Sequence, residues 1–305
     1  MMTPELPFTA EVRRLASGLS LEVVAAGNSN GSLVILLHGF PDLWQGWHLQ
    51  IEPLVAAGYR VLIPNQRGYG RSDKPQGIAA YDLDLLANDV LELADTETRS
   101  TFHLVGHDWG GIVGWWVAAR APNRVQSLTV LNAPHPGAVR PYLYTHPTQL
   151  LKSWYVGFFQ LPWLPEALMR WNNFTAMFQA VKATSQPRVF DESDRRYLTE
   201  GWSQPGALPC MLNYYRALVR RRQTTLLQRV TVPTQILFSR HDPTEEPGLA
   251  IASQKLADQA EIVWFDDVHH WLQREATVQV NAKILTFLGQ QPTTTQSHDA
   301  GERTA

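Results

Sequence analysis

Cys210 is the only cysteine in this chain of 305 residues. No internal disulfide can form, so the fold must hold by packing and hydrogen bonding, which suits a reducing compartment. Cys210 itself reads as a small packing residue. Long apolar runs are missing too. No stretch reaches the roughly 20 residues that a membrane-spanning helix needs, and the opening MMTPELPFTAEVRRL lacks the apolar centre of a secretory leader. The chain therefore reads as cytoplasmic. Charge of one sign is equally scarce. With 26 basic residues against 28 acidic and a formal charge of −2, there is no overall field to gather nucleic acid or an anionic membrane surface. The histidines lack metal-ligand spacing, and Gly68-Tyr69-Gly70-Arg71-Ser72-Asp73 breaks the dinucleotide fingerprint at its last glycine. Neither a metal nor any other cofactor is expected. The partners expected are a small apolar substrate and water.

A hydrophobic content of 44% is enough to bury the core of one mid-sized α/β domain carrying an insertion. Short β-branched runs at 33–37 (LVILL), 60–63 (RVLI), 102–105 (FHLV), 128–131 (LTVL) and 235–238 (QILF) read as buried strands, and 261–265 reads as a further strand. Helical stretches at 44–57, 83–94 and 110–119 separate several of them, which predicts a mostly parallel central sheet with helices on both faces. Ahead of these, residues 10–15 and 19–24, parted by Ser17-Gly18, read as an antiparallel hairpin. The alternation stops after the sixth strand. Residues 134–228 hold aromatics, prolines and helical segments but no strand-like run, and the pattern resumes at Val232-Pro233. The expected division is core at 1–133, helical cap at 134–228, core again at 229–290 and a disordered polar tail at 291–305. Arg220-Arg221-Arg222 reads as a solvated helix end.

The run Val105-Gly106-His107-Asp108-Trp109-Gly110-Gly111 leaves a buried strand and opens a helix. Small residues two before and two after Asp108 make it a nucleophile elbow, with aspartate where a hydrolytic serine usually stands. The turn is too tight for side chains at the glycines, and its strain thrusts the central residue forward. An aspartate that only caps a helix needs no such flanking. A carboxylate is ionised at neutral pH without help from a base. It suits attack at an sp³ carbon, because the product is an ordinary alkyl ester that water can later cleave.

Cleaving that ester requires a general base, for which histidine is the natural group. The segment WFDDVHHWLQRE offers His269 and His270 between a strand and the last helix. His270, directly before Trp271, is the expected base. Asp242, just past the strand at 235–238, is the expected partner that orients it, in the order nucleophile, acid, base. Asp266 and Asp267 precede the base on its own loop and rank lower, and Asn132 cannot supply a charge. In His38-Gly39-Phe40-Pro41 the Phe40 backbone N–H, with that of Trp109, is placed to receive an oxyanion.

These motifs, together with Arg67-Gly68-Tyr69-Gly70 and Ser72-Asp73-Lys74-Pro75, resemble the epoxide hydrolase branch of the α/β-hydrolase fold family. The resemblance implies two cap tyrosines that bind and protonate an epoxide oxygen. Asn213-Tyr214-Tyr215-Arg216 resembles the family segment that carries one of them, at Tyr215, and the run Tyr155-Val156-Gly157-Phe158-Phe159-Gln160 offers the other, at Tyr155. Read without the family, both are amphipathic cap packing. One departure is Asn65, where the family often has aspartate. An apolar pocket is expected from Phe40, Trp109, Trp154, Phe158, Phe159, Trp163, Phe174 and Trp271. Two other functions share the sequence. A haloalkane or haloacid dehalogenase would use the same aspartate with halide as leaving group, and a non-catalytic binding protein could occupy the same fold.

Overall fold

The computed structural model describes residues 7–220 and 229–291. The polar tail from residue 292 and the arginines 221 and 222 lie outside the described residues. Eight strands form one sheet: β1 (Ala10–Arg14), β2 (Ser20–Ala26), β3 (Leu33–Leu37), β4 (Arg60–Pro64), β5 (Phe102–His107), β6 (Val125–Leu131), β7 (Thr234–Ser239) and β8 (Ala260–Phe265). Their spatial order is β1-β2-β4-β3-β5-β6-β7-β8. The leading hairpin pairs antiparallel with itself and with β4, and every later pair is parallel.

The period of two in LVILL shows directly in the packing. Leu33, Ile35 and Leu37 enter one core cluster with Leu86, Val90 and Leu93 of α2 (Leu83–Asp95) and Val113 of α3 (Trp109–Arg120). Val34 and Leu36 enter the other with Ile51 and Leu54 of α1 (His48–Ala56) and Val280 and Ile284 of α12 (Thr277–Gly289). Each such fully buried side chain contributes about 2 kcal/mol, and a one-residue slip of β3 would exchange its two faces. The first expected helix opens more tightly than its sequence implies: Trp44–Trp47 is a 3₁₀ turn leading into α1.

Among the described residues, six helices enter between β6 and β7: α4 (Pro136–Thr145), α5 (Pro147–Lys152), α6 (Trp154–Phe158), α7 (Leu164–Ala183), α8 (Glu192–Trp202) and α9 (Ala207–Arg220). They make the expected helical cap. Helix α7 is broken at Trp171–Phe174, where three residues in succession, Asn172 to Phe174, have positive φ. The chain then closes with α10 (Pro247–Gln254), α11 (Leu272–Glu275) and α12.

Buried polar contacts tie the cap to the core. Trp202 Nε1 donates to the Pro41 carbonyl at 2.6 Å, and Arg274 Nη1 meets Asp194 Oδ1 at 2.9 Å. Arg67, paired with Asp89 on the core, offers its carbonyl to Tyr214 Oη at 2.8 Å. Asn65 donates from its amide to Glu22 Oε2 at 2.7 Å and accepts from the Trp44 N–H at 2.7 Å. An ionised aspartate could not make the first of these bonds, which gives the amide at this position a reason.

Candidate active site

Parallel pairing gathers the candidate residues at the carboxyl ends of neighbouring strands. β5 lies between β3 and β6, and β7 follows, so Phe40, Asp108, Asn132 and Asp242 emerge side by side. Asp108 has φ 51° and ψ −121°, outside the ordinary regions for a residue with a side chain. The space around this turn is correspondingly small. A Cβ at Gly106 would collide with the Gly110 carbonyl, and one at Gly110 with the Leu37 carbonyl. The glycines let helix and strand approach closely enough to hold Asp108 forward.

The Asp108 carboxylate accepts a hydrogen bond from the Phe40 N–H at 2.6 Å and another from the Trp109 N–H. Both expected oxyanion donors therefore already point at an anionic oxygen. Burial raises the Asp108 carboxyl above its ordinary value, while His270 and these two N–H groups oppose the rise. The Phe40–Pro41 peptide is cis. The loop is fixed from behind by Gln66, whose backbone N–H reaches His38 Nε2 at 3.1 Å and whose amide reaches the His38 carbonyl at 2.7 Å.

His270 stands with Nε2 3.9 Å from Asp108 Oδ2 and Nδ1 2.7 Å from Asp242 Oδ2. The other oxygen of Asp242 accepts from Thr244 N at 2.7 Å, Thr244 Oγ1 at 2.7 Å and Glu245 N at 3.1 Å. Burial alone would raise the Asp242 carboxyl, but His270 and the Thr244 bonds carry it below the ordinary range. Burial alone would lower the His270 imidazole, but Asp242 and then Asp108 push it up to about 9. His241 and Asp266 are exposed, with Asp266 paired to Arg240 at 3.0 Å. His269 turns its backbone N–H to Glu275 at 2.6 Å.

Opposite Asp108 the cap supplies rings. Tyr155 on α6 and Tyr215 on α9 have centroids 6.0 Å apart, and Tyr215 lies 4.9 Å from Trp109 and 5.3 Å from Phe40. Both phenols are raised well above 10, first by burial and next by the Asp108 charge. Their neighbours explain the placement. Tyr214 anchors α9 on Arg67, which turns Tyr215 toward the site. Arg216 reaches the carbonyls of Phe159 and Leu161, each at 2.9 Å, and pairs with Glu166 at 2.7 Å, clasping the end of α6 to α9.

Of the expected pocket residues, Phe40, Trp109 and Phe159 ring Tyr215, and Phe158 packs on Phe159. Trp271 lies behind the site, 5.4 Å from His270 and 5.2 Å from His107, with Nε1 bonded to Thr184. Phe174 is buried against Trp202. Two expectations are corrected. Trp154 is 67% exposed and Trp163 72% exposed, so neither lines an enclosed pocket. Tyr155 on the five-residue α6 and Phe159, which caps it, take the inner side at a spacing of four, which leaves Trp154 outside. Trp163 sits just ahead of α7 at φ 52°, in a turn that points it to solvent.

Two residues given no part in the sequence reading meet the His270 backbone. Asn132 Nδ2 reaches the carbonyls of His269 and His270, each at 3.0 Å, and its Oδ1 accepts from Ser239 N at 2.8 Å. His107 Nε2 lies 2.9 Å from the same His270 carbonyl. Only their positions, at the end of β6 and directly before Asp108, mark them in the sequence.

The fold and this constellation have known counterparts. Residues 32–277 match the alpha/beta hydrolase fold family. The chain belongs to the α/β-hydrolase family. It is 39% identical to the AB hydrolase superfamily protein YfhM of Bacillus subtilis, over 90% of this chain and 96% of that one. It is 35% identical to human Epoxide hydrolase 4, over 93% of this chain and 80% of that protein. A solved structure described among novel epoxide hydrolases from metagenomes of hot environments superposes with a TM-score of 0.82 at 33% identity, covering 94% of this chain and 99% of its own. The expected kinship with the epoxide hydrolase branch is borne out by these relatives.

Proposed function

We propose that this α/β-hydrolase opens epoxides with water to give vicinal diols, in two steps through an alkyl ester on Asp108. The observation that carries the reading is the pair of neutral phenols, half-buried Tyr155 and buried Tyr215, each raised by the nearby Asp108 charge, with Tyr215 set among the rings of Phe40, Trp109 and Phe159. A phenol is a stronger acid than the alcohol that forms on ring opening, so it can give up its proton to a developing alkoxide. The name of the human relative supports the same substrate class.

In the first step Asp108 attacks one epoxide carbon from the side opposite its C–O bond. The bond breaks, the ring oxygen takes a proton from the tyrosine pair, and a hydroxyalkyl ester remains. In the second step His270 removes a proton from water and the hydroxide adds to the Asp108 carboxyl carbon. The Phe40 and Trp109 N–H groups hold the resulting oxyanion; its collapse expels the alkoxide, which takes the proton of the added hydroxyl and leaves as the diol, and the proton on His270 passes through solvent to the tyrosine anion left by the first step, restoring both groups.

The charge on Asp108 also sets when His270 can serve as base. While Asp108 is ionised, the imidazole is held near 9 and carries a proton at neutral pH. Esterification neutralises Asp108, removes one of the three anions, Asp242, Asp108 and Glu275, that raise His270, and moves it toward the range where it accepts a proton. The base is armed by the step that creates its substrate.

Terminal, internal and aromatic epoxides, assayed beside haloalkanes, test the proposal. Diol formation is expected. Halide release without diol would assign the site to dehalogenation instead.

A further inference from the structure

The overall charge of −2 conceals a division. Residues 134–228 hold eleven Lys and Arg but five Asp and Glu, a surplus of six positive charges, so the remainder of the chain is eight negative. Between residues 134 and 190 the single acid is Glu166, and it is spent on Arg216 at 2.7 Å.

The same stretch exposes apolar surface. Leu150, Leu151, Trp154, Trp163, Leu168 and Trp171 are each between 51% and 74% exposed, and no other tryptophan among the described residues is exposed to a comparable degree. Folded monomers rarely leave such a concentration uncovered. Basic side chains are interleaved with it. Arg170 is exposed between Leu168 and Trp171, and Arg220 at the end of α9 bonds Gln160 Oε1 at 3.1 Å, beside Leu161. The exposed Trp154 and Trp163 thus have cations for neighbours in the chain and, through Gln160, at the end of α9.

We propose that the outer face of α5 to α7 docks on an anionic lipid surface, with Trp154, Trp163 and Trp171 at headgroup depth and the arginines against lipid phosphates. Tryptophan favours that depth because its ring is apolar and its N–H remains wet. Positive charge adds attraction that falls within a Debye length. A second copy of the chain is the poorer occupant, because pairing this face with itself would set like charges together. Tyr155 lies on the inner side of the same helix that carries Trp154, so docking would turn one wall of the site toward the lipid phase. The inference does not rest on the epoxide reading, since binding needs no turnover.

Co-sedimentation of the full chain with vesicles tests it, using phosphatidylcholine alone and an equal mixture of phosphatidylcholine and phosphatidylglycerol. Retention on the mixed vesicles is expected to exceed that on phosphatidylcholine by roughly tenfold or more and to fall at high salt. Tryptophan emission should shift to the blue on binding. Replacing Trp154, Trp163 and Trp171 together by Gln should abolish both signals, and Arg170→Glu should weaken retention, with unchanged thermal unfolding showing that the fold survives. Equal retention of the triple variant, or none by the parent, overturns the proposal. So does a concentration-dependent doubling of mass that the same substitutions remove, which would assign the face to contact between copies.

Discussion

His107 Nε2 lies 2.9 Å from the backbone carbonyl of His270, so the residue before the candidate nucleophile holds the candidate base. Asn132 grips the same carbonyl from β6. The distance between Asp108 and His270 is thus set by the strand ends as much as by the loop that carries the histidine.

Asn132→Ala should therefore slow the second step more than the first. Losing these bonds leaves buried backbone groups of His269, His270 and Ser239 short of a partner, at a cost of roughly 1–3 kcal/mol, and frees the loop. Single-turnover kinetics should show ester accumulating. Equal slowing of both steps would mean that Asn132 serves stability alone.

Asp108→Ala is expected to remove turnover of every epoxide, and His270→Gln to stop the reaction after alkylation. Mass spectrometry of the second variant should find the chain heavier by one epoxide, with the added mass on Asp108. An unmodified chain would sink the covalent mechanism.

Tyr155→Phe and Tyr215→Phe should each slow alkylation by about 10²-fold or more, the range for a lost general acid, with little change in folding because both rings keep their packing. If one variant retains full activity, the acid role belongs to the other tyrosine.

The pH dependence has a definite sign. Asp108 is raised above the ordinary carboxyl value, so alkylation should fall on the acid side as its carboxylate is protonated, and earlier than for a free aspartate. At the alkaline end the tyrosines, raised well above 10, remain protonated and impose no loss below that pH. Removing the Asp108 charge with Asp108→Ala should lower the His270 value from about 9, but only in part, because Asp242 contributes more. A histidine titration followed by NMR measures this directly; an unmoved value would uncouple base from nucleophile.

Much of this was legible in the sequence, for identifiable reasons. The glycines around Asp108 are dictated by steric closeness, which leaves a local signature, and the two faces of β3 follow from its alternation. Asn132 and His107 are different. Their partner is a backbone carbonyl 138 and 163 positions away, and a carbonyl has no residue type to recognise. Trp154 falls outside the expected pocket for another reason: α6 has five residues, too few for periodicity to say which side faces in. The net charge of −2 averages a basic segment, residues 134–228, with an acidic remainder, and so carries no sign of the division.

Tyr214 and Tyr215 are adjacent, yet one fastens α9 to the Arg67 carbonyl and the other faces Asp108. An outward swing of α9 that admits substrate must break the Tyr214 bond and withdraw Tyr215 in the same stroke. A helix that slips from that seat carries Tyr215 away from Trp109 and Phe40 as well, so the fit of cap on core and the place of that ring are one adjustment.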